Sequence, residues 1–213
     1  MSADLKRRGK FISLEGGEGV GKSTQARALQ AALSERGIDC ILTREPGGSD
    51  GAEKIRSLLL DREETWSAQT EALLFAAARA DHVEKIIRPA LEAGKWVVSD
   101  RFLDSSLAYQ GGAGGLGYET IRALHQAGTN GLLPDRTFVL MLGPRGDVEQ
   151  GRARETGPPD RFGDRPSEFH HKVSLAFQHI HADEPDRIRL IDSSEPRETV
   201  TKILLEAIAD LLP

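Results

Sequence analysis

The sequence predicts an α/β protein: an open, parallel, five-stranded sheet covered by helices on both faces, three layers in all. Short apolar runs of strand length alternate with longer segments whose apolar residues recur every three or four positions. The strand runs are apolar almost throughout, as strands covered on both faces must be. A glycine-rich stretch joins the first strand to the first helix, at the rim where such sheets bind their ligands.

Phe11 to Glu15 read as the first strand, and Ala26, Leu29 and Leu33 keep helical spacing until Gly37 closes the segment as a C-cap. Cys40 to Thr43 read as the second strand. The loop "REPGGSDGAEK" follows, and then a helix through Ile55, Leu58, Leu59 and Leu60. Thr70 to Leu91 form a longer helical stretch, with Leu73, Leu74, Ala77 and Ala78 facing inward, and Trp96 to Asp100 form the third strand. A helix is expected around Ser105 to Gln110, a loop at "GGAGGLG", and a helix from Tyr118 to Ala127. Thr137 to Leu142 and Arg187 to Asp192 complete the sheet, and Thr199 to Leu212 close the chain as a helix. The irregular stretch Gly151 to Phe169, rich in Arg, Gly and Pro, reads as a mobile excursion, not a boundary, so residues 1–213 form one domain.

The 213 residues are enough to bury a core without staples. A formal charge of −5 argues against general nucleic-acid binding, although a local basic cluster can still grip phosphates. The single cysteine, Cys40, excludes an internal disulfide framework and a cysteine metal cage. It sits in the apolar run "DCILT" as core filling, which suits a reducing cytosol. "MSADLKRRGKF" reads as a short polar tail, and no run approaches the length of a signal or a membrane span, so a cytoplasmic protein without a membrane partner is expected.

The chemistry begins at "EGGEGVGKST". Gly16, Gly21, Lys22 and Ser23 fit G-x-x-x-x-G-K-[ST], with a strand before and a helix after. The backbone N–H groups of Gly16, Gly17, Glu18, Gly19, Val20, Gly21 and Thr24 can then converge on a nucleoside-triphosphate phosphate. Lys22 reaches the terminal phosphates and the Ser23 hydroxyl reaches Mg²⁺. Bulky residues in this stretch would keep backbone and anion apart. GTPases, motor ATPases and small kinases all use such a loop. Asp100, ending an apolar strand, either orients Mg²⁺ and its waters or caps the next turn. Arg44 and Arg101 stand at or just beyond strand ends, on the rim that carries the loop, and so suggest a second, acceptor phosphate held by bidentate contacts.

"EGGEGVGKST", "TREPGG", "LLFAAARADH", "DRFLDSSLAYQG" and "RARETGPPDRF", in this order, resemble the bacterial thymidylate kinases from about Phe11 to the C-terminal helix. The resemblance implies a P-loop NTPase fold with a small lid at about 151–169, ATP and thymidine monophosphate as substrates, Mg²⁺, and a homodimer. It implies that Arg44 and Arg101 hold the acceptor phosphate, with Asp100 as the acidic partner of the latter, and that Glu18 reaches toward the acceptor sugar and phosphate. Phe75 would stack on thymine, and Arg79, on the same helix face, would bond a base carbonyl. Ser106 and Gln110 would wall the base and sugar, and Tyr109 would crowd the 2′ position. Arg152, Arg154 and Arg161 fall in the lid, with Arg152 and Arg154 favoured to neutralise the transferring phosphoryl group. Met141 stands where the family ends its fourth strand in Asp, which removes a polar anchor ahead of the lid. A kinase for another nucleoside monophosphate and a nucleotide-dependent switch are the competing readings.

Overall fold

A computed structural model describes residues 8–143 and 161–213. Strands β1 (Phe11–Gly16), β2 (Cys40–Arg44), β3 (Trp96–Asp100), β4 (Arg136–Met141) and β5 (Ile188–Asp192) form one parallel sheet in the order β2-β3-β1-β4-β5. In the central strand β1, Leu14 lies level with Asp100 of β3 and Phe138 of β4, and Arg44 of β2 lies level with Asp100. That register gathers the glycine-rich loop, Arg44 and Asp100 on one rim, as expected.

The side-chain alternation of a strand sorts β1 between two cores. Ile12 and Leu14 pack with Leu29, Leu33, Val98, Leu140 and Leu204, beneath α1 (Lys22–Glu35) and, near the C-terminus, α8 (Arg197–Glu206). Phe11 packs on the other side with Val97, Phe102, Ile121 and Phe177. Ser13 and Glu15 share the face of Phe11 and are wholly buried there. Ser13 Oγ lies 2.8 Å from Thr137 Oγ1. Cys40 fills the core as expected, its thiol pushed up to about 12 by burial.

α2 (Asp50–Leu60) begins earlier than expected, because the Ser49 hydroxyl accepts from Ala52 N at 3.3 Å and caps it. The expected helix from Thr70 to Leu91 is α3 (Ala68–His82), a π-helical turn over Val83–Ile87 and α4 (Arg88–Glu92) in succession. Its inward face needs correction. Leu73 is 55% exposed and Ala77 is exposed, whereas Glu71, Ala72, Ala78, Arg79 and His82 are buried. The polar residues of this stripe find partners inside, so the apolar pattern placed Ala78 correctly and Leu73 and Ala77 wrongly.

α5 (Leu103–Ser106) continues into a π-helical segment, Leu107–Ala113, which absorbs the first part of the expected "GGAGGLG" loop. α6 (Tyr118–Thr129) follows. α7 (Ser167–Asp183) was not anticipated, and it sends Val173, Ala176, Phe177 and Ile180 into the second core. α8 starts and ends earlier than the expected Thr199 to Leu212. Among the described residues no helix is long and apolar enough to cross a membrane.

Candidate active site

A cleft of about 480 Å³ opens on the rim, between the glycine-rich loop and α3. At its loop end β1 stops at Gly16, whose φ of +131° suits glycine alone, and a Cβ there would lie 2.4 Å from Leu140 O. Gly21 leads into α1, so Lys22, Ser23 and Thr24 form its first turn, and all three line the cleft. Val20 differs: its side chain is buried in the core. The Lys22 ammonium folds back to donate to Gly17 O. Burial, aided by the nearby Arg101 charge, pulls its pKa down against Glu18 and Asp100. The Ser23 hydroxyl donates to Asp100 Oδ2. These are hard oxygen donors side by side at a helix N-terminus, a set that suits Mg²⁺.

Arg101 joins this end of the cleft to the next. Its backbone sits in the left-handed region, at φ +70°, a conformation an arginine adopts at a cost. Its N–H donates to Leu14 O at 2.9 Å. Nη1 donates to Gly16 O at 2.9 Å and to Ser105 Oγ at 3.0 Å, and Nη2 donates to Glu18 Oε1 at 2.7 Å. The Tyr109 hydroxyl donates to the same Glu18 oxygen at 2.8 Å. Burial would raise the Glu18 carboxyl, but the charges of Arg101 and Lys22 and the Tyr109 hydroxyl outweigh it and hold the pKa at about 2. Arg44 lies in a looser place, half exposed, with Nη2 on Glu53 at 2.9 and 3.1 Å.

The far end of the cleft is walled by Phe75, Arg79, Ser106, Tyr109 and Gln110. Arg79 is buried, with Nε on Glu45 and Nη2 on Ser106 Oγ. Gln110 Nε2 donates to Glu71 Oε1 at 2.9 Å. The structure therefore brings Glu18, Gly19, Gly21, Lys22, Ser23 and Thr24 of the loop, both rim arginines and the expected base wall into one cavity, while Gly16, Gly17 and Val20 do not line it.

A model of the thymidylate kinase family matches residues 14–203. The chain belongs to that family. It is 60% identical over 208 residues to the thymidylate kinase of Rhizorhabdus wittichii, covering 96% of this chain and 99% of the relative. It is 43% identical over 215 residues to the thymidylate kinase of a Bradyrhizobium species, covering 99% and 95%. It is 46% identical over 205 residues to that of Symbiobacterium thermophilum, covering 95% and 94%.

Within this thymidylate kinase fold, Arg152 and Arg154 lie outside the described residues, as does most of the stretch 151–169 expected as a lid. Arg161, which is not one of the two favoured arginines, is described. Its Nη2 donates to Glu71 Oε2 at 2.6 Å, beside Arg165 Nη2 at 2.7 Å, and its guanidinium lies over the Phe162 ring. Phe162 lines the base end, edge-on to Phe75 at 5.6 Å and to Tyr109 at 6.4 Å. At Met141, where the expected acid is absent, neighbouring groups bond the strand end. Asp192 Oδ1 accepts from Gly143 N at 3.0 Å, and Met141 O accepts from Ser193 N at 2.7 Å.

Sequence reasoning missed Glu15, Glu45, Glu71, His82, Ser105 and Phe162. Glu15 Oε1 accepts from Phe102 N at 2.8 Å, and Oε2 accepts from Ser105 Oγ at 2.5 Å. A carboxyl group in an otherwise apolar strand was the available signal, since a buried polar group needs partners. Glu45 and His82 stood inside the quoted motifs, but no spacing rule pairs residues 37 positions apart.

Proposed function

We propose that the chain transfers the γ-phosphoryl group of ATP to the phosphate of thymidine monophosphate, giving ADP and thymidine diphosphate for dTTP supply. The observation that carries this reading is one cleft with a triphosphate-binding loop at one end and a wall of Phe75, Arg79 and Tyr109 at the other, bridged by Arg101.

A phosphate-monoester oxygen is already a competent nucleophile, so no general base is needed. It attacks the γ-phosphorus while the bond to the β–γ bridging oxygen breaks and ADP departs. Catalysis then consists of positioning and charge neutralisation. Lys22 exchanges the Gly17 carbonyl for the terminal phosphates. Arg101 and Arg44 take the acceptor phosphate, with Glu18 beside it on the sugar side, and Arg152 and Arg154 bring positive charge from the lid. Ser23 and Asp100 would hold Mg²⁺, which when bound neutralises charge on the triphosphate. Phe75 offers a ring to the base, Arg79 a donor to its carbonyl, and Tyr109, Ser106 and Gln110 bound the sugar and base. The chain acts as one domain with a lid at about 151–169, in the cytoplasm, and as a homodimer.

A coupled ADP-release assay with Mg-ATP tests the reading, comparing thymidylate with deoxyuridylate, uridylate, cytidylate, guanylate and no acceptor. Turnover with thymidylate far above the others is expected. Acceptor-independent hydrolysis, or a preference for another base, would remove the roles given to Phe75, Arg79 and Tyr109.

A further inference from the structure

Arg79 is held on nearly every side. Nε donates to Glu45 Oε2 at 2.7 Å, Nη2 donates to Phe102 O at 3.1 Å and Ser106 Oγ at 2.8 Å, and Cζ lies 5.3 Å from the centre of the Phe102 ring. A guanidinium is planar, so fixing Nε and Nη2 fixes the direction of Nη1. Nη1 is the nitrogen of this cleft-lining side chain that has no partner among the described residues.

Glu45 is held in turn. Its Oε1 accepts from His82 Nδ1 at 2.9 Å, and His82 Nε2 lies 2.7 Å from Thr43 Oγ1. With Nδ1 as donor the neutral ring accepts at Nε2, so the Thr43 hydroxyl donates and the line has one direction. The side chains of Arg79, Glu45 and His82 are 3%, 4% and 0% exposed. Burial would raise the Glu45 carboxyl, but the Arg79 charge and the His82 hydrogen bond outweigh it and keep the pKa low. The turn after β2 closes over the ring: Gly48 sits at φ +88°, and a Cβ there would lie 2.4 Å from His82 Nε2.

An ion pair serving only to staple α3 to this turn would not need its carboxylate oriented by a second residue and that residue oriented by a third. Nor is a buried pair by itself a strong source of stability. We propose that Glu45 and His82 are positioning residues for base selection. They aim the Nη1 edge of Arg79 at the place where a pyrimidine presents a carbonyl oxygen and against one that presents an amino group. This rests on the reading of Arg79 as the base contact. A donor fixed in direction rejects an amino group strongly, because two donors then face each other without an acceptor. A swivelling donor turns aside.

The test is steady-state kinetics of Glu45→Gln, His82→Ala, His82→Asn and Thr43→Val with thymidylate and deoxycytidylate, with ATP varied separately and thermal melts alongside. Glu45→Gln is expected to raise the thymidylate KM about tenfold or more, with the ATP KM unchanged and the preference for thymidylate over deoxycytidylate reduced in parallel. His82→Ala moves the same two quantities less, Thr43→Val least. His82→Asn, which keeps a donor near the Nδ1 position, restores most of what His82→Ala loses. A fall in Tm and kcat with preference and KM unchanged marks a plain staple and overturns the proposal. If Glu45→Gln does not fold, His82→Ala and Thr43→Val leave the ion pair intact and read the same preference. Arg79→Ala separates the two levels. An unchanged thymidylate KM in that variant removes the base-pocket reading itself. A raised KM there, with Glu45→Gln and His82→Ala unaffected, overturns the positioning role alone.

Discussion

The two ends of the cleft satisfy their charges in different ways. At the phosphate end Lys22, Ser23 and Arg44 each rest on a neighbour that a ligand can replace: Lys22 on a loop carbonyl, Ser23 on Asp100, Arg44 on the half-exposed Glu53. At the base end Arg79 is bound by Glu45, a backbone carbonyl and Ser106, all buried. The first end stores binding capacity in provisional contacts, and the second spends its contacts on fixing a direction. Phosphate recognition tolerates adjustment because charge acts over distance, whereas telling one base from another depends on hydrogen-bond angle.

The largest effect that can break this contrast is Lys22→Ala. Loss of a preorganised donor to the transferring group is expected to lower kcat by about 10²–10³. Burial disfavours the Lys22 ammonium, so the same substitution is expected to raise the Tm of the unliganded protein. Differential scanning calorimetry beside the kinetics checks both. A lowered Tm would mean that Lys22 is as structurally committed as Glu45, and the provisional character of this end would be lost.

The contrast also explains what could be read from the sequence. The phosphate end is local: Gly16 to Thr24 lie together in the chain, and strand, glycines, lysine and hydroxyl have a fixed order that chemistry dictates. The strands were legible for a similar reason, because Ile12, Val97, Val98 and Val139 are apolar on both faces of a covered sheet. The base end is built from pairs distant in sequence. Arg79 to Glu45 spans 34 positions and Gln110 to Glu71 spans 39, so each residue looks like an ordinary polar surface residue until the fold joins them. The same pairs misled the reading of α3, where Glu71, Arg79 and His82 occupy the buried stripe and Leu73 faces out. α7 was a different omission. Val173, Ala176, Phe177 and Ile180 show helical spacing, but the Arg- and Gly-rich stretch before them drew the boundary of an irregular region too late.

Between the ends lies Glu15, and its titration sharpens the comparison by a smaller effect. Burial raises its carboxyl from 4.5 to about 8, with Asp104 adding and Ser105, Arg101 and Arg79 opposing. An acid raised on folding holds a proton that the unfolded chain has lost. Its contribution to stability is therefore complete below 4.5 and is lost as pH rises through about 8. His125, lowered to about 4 by burial, gives the opposite slope, but only below its ordinary 6.5. The loss from Glu15 thus levels off above about pH 8, and the interval from about pH 6.5 to 8 shows it above the range of His125. The Tm is expected to fall across it, and Glu15→Gln is expected to flatten that fall. A slope unchanged in Glu15→Gln would assign the pH dependence elsewhere and leave the link through Ser105 to Arg101 electrostatically silent.

The smallest effect is at Arg44, and it tests the contrast most directly. Glu53 holds Arg44 much as Glu45 holds Arg79, through a carboxylate, yet here the side chains are 50% and 42% exposed. An exposed pair of this kind contributes about 0–1 kcal/mol. The Glu53 carboxyl also accepts from Gly48 N at 2.9 Å, a bond that the amide oxygen of glutamine can keep. Glu53→Gln should therefore leave the turn folded, release Arg44 to the acceptor phosphate, and lower the thymidylate KM by less than about threefold. Added salt should shrink even that difference, because the competing charges lie in water. A KM that rises tenfold instead, and does not respond to salt, would mean that Glu53 orients Arg44 as Glu45 orients Arg79. Both ends of the cleft would then be directional, and the division between exchangeable and fixed contacts would fail at the rim.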